Sequence, residues 1–130
     1  MNAVSAMKQY QQVSVHSSIM DASPHRLVQM LMEGALEKIA LAKGNMTNNN
    51  VASKGENISK AIGIIGGLTS SLNRDVGGAL AENLSNLYDY MANRLVVANL
   101  RNDESILDEV AGLMAEIKMG WDGMPDEFKN

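Results

Sequence analysis

Apolar positions recur along this chain at intervals of three and four, in four blocks separated by short polar breaks. That spacing marks amphipathic α-helices. The first block carries Val28, Leu31, Met32, Ala35, Leu36, Ile39 and Ala42. Ser23-Pro24 opens it, serine as a favoured N-cap and proline at a first helical position where its missing N–H costs nothing. Lys43-Gly44 reads as a cationic last turn and a terminating glycine, with Asn48-Asn49-Asn50 as the loop beyond. The second stripe is Ile58, Ala61, Ile62, Ile65, Leu68 and Leu72. Its start is open: Ser53-Lys54-Gly55-Glu56 matches a capping box, while Asn49 or Asn50 could cap an earlier start. Asn73-Arg74-Asp75 and Gly77-Gly78 interrupt the pattern before a third stripe of Leu80, Leu84, Leu87, Tyr88, Met91, Leu95 and Ala98. Asn102-Asp103 then makes the turn and cap for a fourth, Ile106, Val110, Leu113, Met114, Ile117 and Trp121.

Segments near 20 residues long correspond to about 30 Å of helix each. Helices of equal length joined by short connections favour antiparallel neighbours, so the expected fold is all-α, an antiparallel up-down four-helix bundle. The bundle is expected over residues 23–121, with 122–130 as a C-terminal tail. Residues 1–22 have mixed periodicity around Tyr10, Val13, Val15 and Ile19, and are expected to form a weakly ordered N-terminal arm or a short extra helix.

The run Leu87-Tyr88-Asp89-Tyr90-Met91 sharpens the third stripe. Two helical positions differ by about 200° of rotation, so both rings cannot enter one core. Tyr88 is expected inside, and Tyr90 on the outer face with Asn83, Asn86, Asn93 and Val97. Other large apolar residues also lie off their stripes: Leu27, Met30 and Leu41 in the first block, Ile64 in the second, Leu100 in the third. A bundle helix touching two neighbours needs a wide stripe, which absorbs Leu27 readily and Tyr90 and Val97 less so. Contiguous apolar surface beyond that need marks an interaction site. Ile64, Tyr90, Val97 and Leu100 are therefore the expected outer contacts.

Composition changes the picture by exclusion. Among 130 residues there are ten methionines, one phenylalanine, one tryptophan and no cysteine. Methionine suits surfaces that repack around a partner, although a helix-rich core is the commoner use. Without cysteine, disulfides and thiolate metal sites are excluded, which is compatible with a reducing cytosol. No run has the length of a membrane span, and the N-terminus lacks the apolar stretch of a secretory signal. A net charge of −4 argues against nonspecific nucleic-acid binding. The expectation is a cytoplasmic domain with no nucleic-acid partner and no membrane insertion.

Catalysis finds little support. His16 falls in the weak arm, and His25, in a helix's first turn, is expected at the surface. There is no Glu-x-x-His pair for a bundle metal site, no Gly-x-Ser-x-Gly elbow, and no phosphate loop around Gly77-Gly78. The acidic pairs Asp103-Glu104 and Asp108-Glu109 suit a helix start and a solvated face. No catalytic residue, metal or cofactor is expected, which leaves binding.

Taken in order, several landmarks resemble the FliS-type flagellar secretion chaperones over nearly the whole chain. They are Tyr10-Gln11-Gln12-Val13-Ser14-Val15, Ala22-Ser23-Pro24-His25-Arg26-Leu27, and Lys54-Gly55-Glu56 with Lys60-Ala61-Ile62 and Ile64-Ile65. Gly77-Gly78, Ala81-Glu82-Asn83-Leu84, Leu87-Tyr88-Asp89-Tyr90-Met91 and Arg94-Leu95 with Ala98-Asn99 follow. Met32 departs from the pattern, standing before Glu33-Gly34 where the family often has an aromatic residue. The resemblance implies an antiparallel bundle that binds the C-terminal segment of newly made flagellin, a segment that turns helical as it wraps the chaperone. It implies delivery to the flagellar export gate and, as an alternative main partner, the flagellar anti-sigma factor. It also implies that the arm covers part of the binding surface beforehand, which makes Met7, Tyr10 and Val13 candidate contacts. A monomer or weak dimer is expected.

Overall fold

The computed structural model describes residues 22–124. Four helices follow one another: α1 (Pro24–Thr47), α2 (Val51–Ser70), α3 (Arg74–Arg101) and α4 (Glu104–Asp122). No strand occurs among the described residues. α1 packs against α2 and α4, and α3 packs against the same two helices. Cross-links between helix ends fix the directions. Thr47 at the end of α1 donates its hydroxyl hydrogen to Glu104 at the start of α4, 2.6 Å away. Gln29 near the start of α1 reaches Asp122 at the end of α4, also at 2.6 Å. Lys54 early in α2 meets Asn99 and Asn102 at the end of α3. The result is the antiparallel up-down bundle.

Local chemistry sets the boundaries. The Ser23 hydroxyl accepts from the Arg26 N–H at 3.1 Å, with Pro24 in the first turn, so α1 begins where the capping signal stands. Its end differs from expectation, because Gly44 lies inside the helix, which continues to Thr47. The core contact of Met46, one turn beyond Ala42, offsets the roughly 1 kcal/mol that a helical glycine costs relative to alanine.

The residue that takes the left-handed conformation is Asn49, with φ 57°. The next N–H, of Asn50, returns to the Asn45 carbonyl at 2.8 Å, and that of Asn49 to Met46 at 3.2 Å. This is the paired closure of a Schellman motif. The Asn50 side chain then accepts from Ser53 N–H and starts α2, which decides between the alternatives for that boundary. The α3–α4 turn repeats the device. Asn102 has φ 53°, Asp103 N–H closes on the Ala98 carbonyl at 3.1 Å, and the Asp103 carboxylate caps α4 through Ser105. α3 itself is broken at Gly78, whose φ of 52° and ψ of −125° suit glycine far better than an L-residue.

Inside, the four stripes meet as expected around Met32, Ile39, Ile58, Ile65, Leu68, Tyr88, Met91, Leu95, Val110 and Met114. Leu107 joins them although its position lay outside the expected stripe. Ala35, Ala61 and Ala98 are fully buried, and their small size lets the helix backbones approach. Among the described residues five methionines (30, 32, 46, 91 and 114) are buried, so core filling accounts for much of the methionine content there. Burial pushes the Tyr88 hydroxyl up to about 12, because the phenolate would lose its hydration there.

Candidate functional site

At the end of the bundle where α1 begins and α4 stops, a groove of about 650 Å³ opens between helices. Pro24 and Val28 of α1, Leu72 of the α2–α3 connection, Leu80, Leu84 and Tyr88 of α3, and Trp121 and Met124 line it. Its walls follow from three local features. Gly77 lies so close to Ala81 that an added Cβ would come within 2.9 Å of the Ala81 Cβ, so glycine is what this approach requires. The break at Gly78 separates the connection from the long run of α3. Trp121 is held in place by α1: its indole N–H donates to the His25 carbonyl at 3.0 Å, and its ring stacks on the His25 imidazole with centroids 4.8 Å apart.

Other ties of α4's last turns also run toward α1. Lys118 lies 3.8 Å from Glu33, and Asp122 accepts from Gln29. Lys118 also bonds Asp122 at 2.6 Å, and this contact holds the Asp122 carboxyl below the usual carboxylate range. With α4 drawn onto α1, the side facing the first half of α3 stays open. Leu80 is 63% exposed and Leu87 is also exposed, although both belong to the stripe expected inside. This is a correction with a simple cause. Periodicity identifies a face, while cover depends on where the neighbouring helix leans.

His25 needs the opposite correction. It is buried rather than on the surface, because the first turn of α1 lies against the end of α4 and the imidazole is flat against the indole.

Among the expected contact residues, Tyr90 faces outward and is 44% exposed. Its hydroxyl donates to one oxygen of Glu109 at 2.5 Å, and Arg94 Nε donates to the other at 2.9 Å. The ring is thus accessible while its polar tip clasps α3 to α4. These two bonds, the Tyr90 one first, hold the Glu109 carboxyl low, and the same carboxylate raises the Tyr90 hydroxyl. Val97 is half-buried and packs against the core cluster, and Leu100 is 80% exposed.

Ile64 is corrected from an outer position to a core one, at 5% exposure. It lies two turns from Asn57, on the face where Asn57 bonds Asn45 of α1 at 2.7 Å, so the α1 interface covers it. Met7, Tyr10 and Val13 lie outside the described residues. Trp121, Leu80 and Leu87 were missed as site residues. The available signals were a lone tryptophan closing the last stripe and a third stripe that starts two residues after a pair of glycines.

The fold and this opening define a class: an up-down helical bundle with an uncovered apolar groove at one end. The family described as "Flagellar protein FliS" matches residues 6–127. The flagellar secretion chaperone FliSB of Pseudomonas aeruginosa is 56% identical over 124 residues, covering 95% of this chain and 98% of that protein. The flagellar secretion chaperone FliS of Salmonella typhimurium is 48% identical over 122 residues (93% and 90%), and that of Vibrio cholerae 44% over 125 (96% and 92%). The chain belongs to the FliS family of flagellar secretion chaperones, which is not an enzyme family. No helix among the described residues is long and apolar enough to cross a membrane.

Proposed function

We propose that this protein is a cytoplasmic export chaperone that binds the C-terminal segment of flagellin, prevents its premature polymerisation and delivers it to the flagellar export gate. The observation that carries the reading is the exposed first half of α3, with Leu80 lining the apolar groove and Leu87 exposed two turns further along the helix. An amphipathic helix laid there would bury one apolar face against another, the helix-in-groove mode of recognition. Each Å² of apolar surface so covered stabilises by roughly 25 cal/mol. Ordering an unstructured segment costs about 2–5 kcal/mol or more, so a long contact is needed to offset it.

Leu80, Leu87 and Trp121 are the main contacts in this reading, with Tyr90, Val97 and Leu100 as outer ones. The arm, through Met7, Tyr10 and Val13, serves as a removable cover and as part of the docking surface. Ile64 contributes by shaping the α1–α2 interface beneath.

Co-purification of the full chain with the C-terminal segment of a flagellin tests the proposal, and binding that Leu80→Ser with Leu87→Ser abolishes is the expected result. A folded chain that captures no such segment would sink it. Adding the flagellar anti-sigma factor as competitor distinguishes the alternative in which that factor is the main partner.

A further inference from the structure

At the opposite end of the bundle, Lys54 is only 7% exposed. Its ammonium donates to the Asn99 carbonyl at 3.2 Å and to the Asn102 side-chain oxygen at 3.1 Å. Both acceptors are neutral, and among the described residues no carboxylate lies within ion-pair distance of it. A lysine ammonium has three N–H donors, so one is unspent. The partial negative charge at the end of α3 offsets only part of the cost of burying a full positive charge.

Exposed apolar side chains stand at the same end of the bundle. Val51, one turn before Lys54, is 70% exposed, and Leu100, next to Asn99, projects into solvent. Val96, one turn earlier on α3, is exposed as well. Gly55, the residue after Lys54, has nothing within 4 Å of the position a Cβ would take. A buried cation with only neutral partners thus lies at a bundle end where Val51, Val96 and Leu100 are exposed and Gly55 leaves its own surface uncrowded.

We infer that Lys54 is the anion-binding centre of a second docking surface, which takes a carboxylate of the bound segment while Val51, Val96 and Leu100 cover the apolar side chains beside it. This rests on the reading that the chain binds a flagellin C-terminal segment. Charge complementarity selects the occupant: an apolar peptide bearing an acid, either an Asp or Glu side chain or the terminal carboxylate.

Calorimetric titration of the full chain with a synthetic flagellin C-terminal segment, at low and high salt, tests it. Lys54→Met keeps the apolar stem and is expected to weaken binding by about tenfold or more, the scale of one charged hydrogen bond. It also flattens the salt dependence, and Lys54→Arg restores both in large part. Leu100→Ser, at a position too exposed to affect folding, weakens binding several-fold. Amidating the peptide's C-terminus, or exchanging its acids for amides, identifies the carboxylate by reproducing the Lys54→Met loss with the unaltered protein. Unchanged affinity and salt dependence in Lys54→Met, with only a lower melting temperature, would overturn the inference and leave Lys54 as a cap of α3. Insensitivity to both peptide changes would overturn it too. A wild-type chain that fails to bind the segment at all removes the parent reading instead, and this one with it.

Discussion

The two halves of α3 carry the same apolar stripe and have different fates. In the second half, Tyr90 and Arg94 converge on Glu109, and Met91, Leu95 and Ala98 lie beneath, fully buried. In the first half, Ala81 is buried and Tyr88 fills the core at mid-helix, yet Leu80, in the groove wall, and Leu87 remain in solvent. The polar ties account for the contrast. α4 is fastened to α3 near its own start, and its last turns are fastened to α1 through His25, Gln29 and Glu33. A helix needs only a small lean to cover one half of its neighbour and leave the other half open.

The largest effects that test this contrast come from the covered side. Tyr88→Ala is expected to destabilise the bundle by about 3–5 kcal/mol, measured by urea denaturation, since it empties a site in the core. Leu80→Ala should change stability by less than about 0.5 kcal/mol, as an exposed position does, while weakening capture of a flagellin segment. Comparable stability losses at the two sites would remove the distinction between covered and open halves.

Asn50→Ala should cost about 1 kcal/mol in the same measurement, the usual value of a lost N-cap, without changing partner affinity. Tyr90→Ala should weaken partner binding while leaving helical content unchanged by circular dichroism. If it unfolds the bundle, the Glu109 clasp matters more than the exposed ring.

The smallest effects concern pH. Glu109, Asp103 and Asp122 titrate below their ordinary values, so the stability they contribute is complete above those values. It is lost as acid carries the pH down through the depressed ones. Glu109→Gln should flatten part of that acid dependence in thermal melts. Tyr88 has the opposite sign. Its contribution is complete below pH 10 and is lost as the pH rises toward about 12, where absorbance should show Tyr88 ionising and Tyr88→Phe should remove that step.

Much of this was legible in the residues. Ser23-Pro24, the asparagine loops, the inward Tyr88 and the outward Tyr90 depend on contacts within a few positions, and such contacts follow from spacing. The groove was less legible because openness is a property of pairs of helices. Nothing in the spacing of Leu80 and Leu87 distinguishes them from Leu84 or Leu95. His25 and Ile64 misled for the same reason, since each is covered by a helix that sequence proximity does not reveal. Gly44 was a terminator by residue type, and burial of Met46 carried the helix past it.

The asparagine turns have a consequence for how this chain can change length. Asn50 closes α1 and opens α2, and Asp103 does the same for α3 and α4, so neither turn has a spare residue to give. One added residue there either separates the two duties or rotates the following helix by about 100°, carrying its apolar face out of the core. At that end of the molecule, insertions and deletions are as restricted as substitutions in the core itself.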